Sequence, residues 1–372
     1  MIPNYLQNQI KKDDLKFKNG DLKFFVLPIY DPKTHHLELT QNGYFRALIT
    51  LRHYIKIISD YYFGYKQNAK NIDLFMFTPS ISSPMGSGSD SEAIPIKFGK
   101  HNLNLVDSSQ FGLEPLLLNG IDKVYCYLPS MRGEKPNKRH LNQFFHCEDE
   151  IKGGMERLIP IIEGYIKILA ETLLLLPNIL EKISLNFKET TSTLNKILRL
   201  KKFPEITFDE AIDSLIKNGN KKLVNFTKYG RDILSEGEIR LAEIFNFEIP
   251  FWVKNYDRDR VAFYQKIDSK NPNKVINADL IFPPIIKGAF GGEIVGCGQR
   301  QDKVQEITDS LSRQNINSKS YKWYINLRKL PNYKMTSGFG LGIERFITWC
   351  LCRDDIKNVI LYPRLKDIKT YP

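Results

Sequence analysis

Met131–Glu150 reads MRGEKPNKRHLNQFFHCEDE, and the order of its charged, aromatic and acidic side chains decides how the rest of the chain is read. The preceding run, Val124 to Met131, is rich in aromatic and β-branched residues and reads as a strand; Asn142 to Ile151 reads as its return across a polar turn. Side chains along a strand alternate between faces. Asn142, Phe144, His146, Glu148 and Glu150 therefore share one side, and Phe145, Cys147 and Ile151 the other. The first face offers a ring to stack on and carboxylates further along, with Arg132 and Glu134 entering from the partner strand. Taken alone, an ordinary half-buried hairpin with a solvated charged loop explains the stretch slightly better than a site does.

Upstream of the hairpin, the repeated DLKF at Asp14–Phe17 and Asp21–Phe24 flanks Asn19-Gly20 and reads as a β-hairpin in a short N-terminal extension, residues 1–40. Tyr44 to Phe63 has helical spacing, Asn71 to Phe77 reads as a strand, and Ser82 to Glu92 is a Gly/Ser-rich loop that could act as a lid. Downstream, residues 154–245 form a helix-rich segment in which the apolar stripes indicate packing. The last third returns to strands: Pro250 to Asn255, Val261 to Lys266, Asn277 to Phe282 and Gly292 to Arg300.

The chain's 372 residues suffice for a sizeable core without covalent staples. Its five cysteines show no CxxC spacing and are odd in number, which argues against a zinc ribbon or a disulfide framework. No apolar run reaches membrane-spanning length, since Ile168 to Leu180 is interrupted by Glu171 and Pro177; a cytoplasmic protein with no membrane partner is expected. The net charge of +12 favours polyanionic partners, weakly, because the lysines are spread along the whole chain.

Two stretches near the C-terminus bear on chemistry. In SGFGLGIER, glycines at 338, 340 and 342 leave the backbone bare at every second residue, so a flat ring can approach it. Arg345 then falls in the first turn of a helix, where the dipole prefers acids, which points to an anion nearby. Asp279 and Glu293 lie on two neighbouring expected strands and suit Mg²⁺, which takes few carboxylates when phosphates supply its other oxygens. Arg300 is an odd number of residues from Glu293, so a bulge or bend at Gly296 and Gly298 is required if both serve one site.

The ordered combination is similar to the catalytic domain of asparaginyl-tRNA synthetases, in the aspartate group of class II aminoacyl-tRNA synthetases. Pro79, MRGEKPNKRHLNQF and GFGLGIER resemble the three family motifs, supported by LVDSSQFGLE, YGRDILSEGE, PFWVKNY and EIVGCGQR across residues 41–372. The resemblance implies an α+β catalytic domain, mainly an antiparallel sheet flanked by helices with a helical insertion, that forms a homodimer. It implies that ATP and an amino acid give an aminoacyl-adenylate, with Mg²⁺ at Asp279 and Glu293. Arg132 would hold the α-phosphate and the substrate carboxylate, and Glu134 would reach the adenine. His140 would lie near the β- and γ-phosphates and Phe144 under the adenine, with Arg345 on the other side and Gly340 and Gly342 beside the ring. Gln110, Glu114, His146, Glu148 and Arg300 would form the amino-acid pocket, Glu148 toward the α-amino group and Arg300 toward the side-chain oxygen.

The departures from the family pattern concern the substrate. Leu113 stands where aspartate-specific relatives carry a lysine, which favours an amide side chain. His146 replaces an apolar residue, GCGQR replaces GGSQR, and the GSGSDSE loop leaves Glu92 without a role. No anticodon-binding barrel fits in the first 40 residues. The expectation is therefore a ligase that transfers activated asparagine, aspartate or an analogue to a small amine or ammonia, with tRNA as the alternative acceptor.

Overall fold

The computed structural model describes residues 2–18, 24–84 and 91–371. An eight-stranded sheet is its centre. In chain order the strands are β1 (Lys70–Asn71), β2 (Lys123–Met131), β3 (Gln143–Lys152), β4 (Glu205–Thr207), β5 (Phe251–Lys254), β6 (Asn277–Phe282), β7 (Gly292–Gln299) and β8 (Thr336–Gly342), arranged β1-β2-β3-β8-β7-β6-β5-β4. The five central pairs are antiparallel, and only the short edge strands β1 and β4 pair in parallel. Mainly antiparallel pairing with helices packed against the sheet is the expected α+β architecture.

Alternation along β3 works as the sequence requires. Cys147 and Ile151 are buried in the main core with Leu280, Val295 and Leu341 of the neighbouring strands, beneath the helices Gly43–Asp60 and Met155–Leu174. The opposite face is left for polar side chains. The helix at Gly43 starts where Asn42 accepts a hydrogen bond from the Tyr44 N–H at 2.9 Å, and its buried stripe includes Leu48, Leu51, Ile55 and Ile58. It passes into a π-helical turn at Tyr61–Lys66. Thr207 and Glu210 form a reciprocal capping box for the helix Phe208–Lys217, and Pro177 opens the helix that follows Met155–Leu174.

Three expectations change. The first arm of the N-terminal hairpin, Asp14 to Phe17, is instead the end and exit turn of a helix, Asn4–Leu15; the Asn19-Gly20 turn lies outside the described residues. That helix buries Leu6 and Ile10, and Asp14 accepts from the Asn178 and Ile179 N–H groups at 3.1 and 2.9 Å, so tertiary contacts outweigh the local turn signal. Val261 to Lys266 is a turn rather than a strand, because Phe263 and Tyr264 enter an aromatic cluster with Phe111, Tyr321 and Tyr324. Of Asn71 to Phe77, only the ends are paired. Residues 85–90 of the expected lid lie outside the described residues. A short antiparallel pair within the helix-rich segment, Val224–Thr227 and Gly230–Ile233, was not anticipated. Among the described residues no helix is long and apolar enough to cross a membrane, and the five cysteines are free and buried.

Candidate functional site

The registers of β2, β3, β8 and β7 bring the two ends of the sequence argument together. Gly342, Gly340 and Gly338 lie directly opposite His146, Glu148 and Glu150. A Cβ on Gly340 would stand 3.5 Å from Glu148 Oε1, and one on Gly338 would collide with the Glu150 and Arg300 side chains. The alternate glycines therefore make room for a ladder of polar groups on β3. This is the same bare backbone that the sequence assigns to close approach of a flat ring.

Two adjoining cavities open on this face. Arg132, Glu134, His140, Phe144, Gly340, Gly342 and Arg345 line the first. Gln110, Leu113, Glu148, Asp279 and Arg300 line the second. Arg132, His146, Glu293 and Gly340 belong to both. Eleven residues expected at the site from four distant stretches thus share one concavity at the sheet face, together with Asp279 and Glu293.

In the first cavity the Arg132 guanidinium lies 5.3 Å from the centre of the Phe144 ring, and His146 meets that ring edge-on at 4.7 Å. Arg345 starts the helix Ile343–Cys350 and turns back over β7, donating to the Glu293 carboxylate at 3.0 Å and its carbonyl at 3.1 Å. Its other nitrogen is 3.2 Å from His140 Nε2. Burial, followed by Arg345, Arg139 and Arg132, holds the His140 pKa down at about 4, so the ring is neutral and able to accept.

The second cavity is organised around buried charge. Glu148 accepts from the Ser108 hydroxyl at 2.5 Å and the Ser109 N–H at 2.6 Å; burial raises its pKa, and those bonds oppose the rise. Arg300 makes a bidentate pair with Glu150 at 2.9 and 2.7 Å. The alternation puts Glu150 on this face, but the sequence gives it no role. Gln110 is buried, and its Nε2 has no hydrogen-bond partner among the described residues. His146 Nδ1 lies 3.0 Å from Ser130 Oγ, and burial, then Arg132 and Arg345, keeps the ring well below its usual pKa.

Glu114 is a correction. It is not among the cavity-lining residues, since its carboxylate is held by Arg328 and by the Tyr324 hydroxyl. A buried ion pair of this kind leaves no carboxylate oxygen aimed at a substrate.

The bulge needed to bring Glu293 and Arg300 to one face exists, but not at the glycines. Leu280 pairs with Val295 and Ile281 with Glu293, so the extra residue is Ile294. A Cβ on Gly296 would lie 3.1 Å from Glu293 Oε1 and 3.5 Å from Asp279 Oδ1, which places both carboxylates at the space that glycine leaves open. Burial and then Glu293 raise the Asp279 pKa well above its usual value, whereas for Glu293 the effect of burial is outweighed by Arg345, Arg139 and Arg132. Two adjacent carboxylates that oppose each other's ionisation fit a divalent cation. Among the described residues no group of three or more His, Cys, Asp or Glu side chains is arranged as a metal site, so a cation here would take its further ligands from water or substrate.

Three nearby residues escaped the sequence reading. Glu238 accepts from the Glu293 N–H at 2.9 Å and lies 3.6 Å from Arg139, clasping the start of β7. Burial raises the Glu238 pKa to about 7. Gln265 fills the space that Gly298 leaves. The signals available were the place of Glu238 in YGRDILSEGE and of Arg139 in MRGEKPNKRHLNQF; Gln265 carried none.

Residues 30–366 match the family model described as tRNA synthetases class II (D, K and N). The asparagine–tRNA ligase of Thermococcus gammatolerans is 33% identical over 279 residues, 74% of this chain and 60% of that protein. The asparagine–tRNA ligase of Mycoplasma genitalium is 29% identical over 345 residues, 89% of this chain and 72% of that protein. The crystal structure of asparaginyl-tRNA synthetase from Pyrococcus horikoshii complexed with asparaginyl-adenylate is similar with a TM-score of 0.79 at 26% identity, covering 94% of this chain and 76% of that one. The chain thus spans about 60% of the length of the Thermococcus relative.

Proposed function

The chain belongs to the class II tRNA synthetases of the D, K and N group, and from that premise we propose that it is an ATP-dependent, AMP-forming ligase acting on asparagine, aspartate or a close analogue. The observation that carries this reading is the shared wall: Arg132, His146, Glu293 and Gly340 line both cavities, so a nucleotide in one and an amino acid in the other would meet at Arg132. Phe144 offers the ring under the adenine and Glu134 its polar contact. Glu148, a buried acceptor that already takes two donors, suits an α-ammonium group. The Arg300–Glu150 pair presents both a donor and an acceptor, which suits a carboxamide better than a carboxylate.

The substrate carboxylate is already ionised, so attack on the α-phosphate needs no general base. The carboxylate oxygen forms the new P–O bond as pyrophosphate leaves, and Arg132 and Arg345 offset the charge that builds on the phosphates. Asp279 and Glu293 would hold Mg²⁺, which supplies further compensating charge. The named relatives and the net charge of +12 support tRNA as acceptor, while His146 and Cys297 in the altered pocket support a small amine or ammonia. A homodimer belongs to the same reading.

The test is exchange of labelled pyrophosphate into ATP. Exchange should require the amino acid and fall by about 100-fold or more in Arg345→Ala, the size typical of losing one charge-stabilising donor. Amino-acid-independent exchange, or full activity in the variant, would contradict the reading. A tRNA acceptor should show binding that weakens steeply with salt, and an ammonia acceptor should not.

A further inference from the structure

Five backbone N–H and C=O groups of Arg132, Gly133 and Glu134 are hydrogen-bonded, and the C-terminal segment supplies part of that hold. The Arg132 N–H donates to the Asn142 carbonyl at 3.0 Å. The Asn142 side-chain amide donates to the Arg132 carbonyl at 2.7 Å and to the Glu134 carbonyl at 2.8 Å. The Gly133 N–H donates to the Glu92 carbonyl at 2.7 Å. Lys366 Nζ donates to the Gly133 carbonyl at 2.8 Å and to Glu92 Oε1 at 3.2 Å. The Lys366 N–H donates to Asn142 Oδ1 at 2.5 Å, and the Asn142 N–H donates to the Arg364 carbonyl at 3.2 Å. Glu134 itself accepts from the Glu92 N–H at 3.2 Å.

So dense a set of bonds is not needed to fold a hairpin turn, because turn carbonyls at a surface are satisfied by water. Asn142 points to the same face as Phe144, yet it contacts backbone and not a ligand cavity. Gly133 is buried while the Lys366 side chain is 45% exposed, so the lysine spans from solvent to a buried carbonyl. Its pairing with the exposed Glu92 carboxylate is worth little by itself. Its bond to the Gly133 carbonyl is charge-assisted and fixes the peptide between two functional side chains.

We propose that Lys366, with Asn142, is a positioning residue for the nucleotide half of the site: the C-terminal segment clamps the Arg132–Glu134 turn so that both side chains meet ATP in one geometry. The proposal rests on the reading of Arg132 and Glu134 as nucleotide contacts. It also gives Glu92 a role, as the third arm of the clamp. The clamp confers no charge on the ligand and touches none of it; it limits the turn's freedom before binding, and a looser turn must be ordered at the expense of affinity.

Two measurements on the full chain test it, neither requiring turnover. Hydrogen–deuterium exchange of the peptide spanning residues 131–134 should be faster in Lys366→Met than in the parent, with other segments unchanged. ATP affinity by titration calorimetry should fall about tenfold, the scale of one lost charge-assisted bond at a half-exposed position. Lys366→Arg should restore most of both, and Asn142→Ala should reproduce both. Unchanged exchange in Lys366→Met, or faster exchange with unchanged ATP affinity, would overturn the proposal, as would uniform loosening of the whole chain. If the parent binds ATP but catalyses no amino-acid-dependent pyrophosphate exchange, the functional reading fails while the clamp is still decided by these two measurements.

Discussion

The two cavities are built by different means. In the cavity proposed for the nucleotide, Arg132, Phe144, His146 and Arg345 are delivered by a strand end, strand alternation and one helix start, and their contacts are mostly ring contacts and single hydrogen bonds. In the cavity proposed for the amino acid, Glu148 and Arg300 are held by partners drawn from elsewhere in the chain: Ser108, Ser109 and Glu150. A nucleotide offers large flat and charged surfaces that a regular strand face can match. Discriminating one small amino acid from another takes polar groups fixed so that a wrong ligand leaves them unpaired. The difference predicts that damage on the amino-acid side costs stability as well as function, whereas damage on the nucleotide side costs mainly function.

The sharpest way to break that contrast is Arg300→Leu. It leaves Glu150, 1% exposed, buried without its cation, and should cost about 3–5 kcal/mol in denaturant unfolding. An unchanged unfolding midpoint would remove the distinction between the cavities. Phe144→Ala on the nucleotide side should leave the fold intact and raise the KM for ATP about three- to tenfold, the range expected from loss of one aromatic stacking contact. A smaller effect is expected from His140. Its folded-state pKa of about 4 lies below the 6.5 of an unperturbed ring, so between those values the unfolded chain binds a proton that the folded chain does not. Stability should therefore fall as pH drops from 6.5 toward 4, and His140→Gln should flatten that part of the profile in thermal melts. A steeper profile in the variant would contradict the assignment.

Legibility follows the same division. The face of β3, the strand lengths of β6 and β7 and the bare backbone of β8 could be read in sequence because alternation and glycine spacing are local. Glu114 could not. It lies one helical turn from Gln110 in the helix Gln110–Leu117, so local spacing puts both toward the pocket, but Arg328 captures it from 214 residues away. The bulge was required by parity and was expected at Gly296 and Gly298; Ile294 takes it instead, because the pairing of β6 with β7 sets where the ladder slips. The N-terminal Asn-Gly signal met a helix in its first arm because Leu6, Ile10 and Asp14 find partners on the helices they cover. In each case the missing information is a long-range pairing that no local pattern encodes.

The central claim is that the two cavities bring a carboxylate to the α-phosphate of ATP. It is tested most directly by mass spectrometry of the products bound after a single turnover with stoichiometric protein, ATP, Mg²⁺ and asparagine, with aspartate in parallel. The account predicts an aminoacyl-AMP and pyrophosphate, formed more readily from asparagine. ADP and phosphate in their place, or no product from either amino acid despite bound ATP, would contradict it.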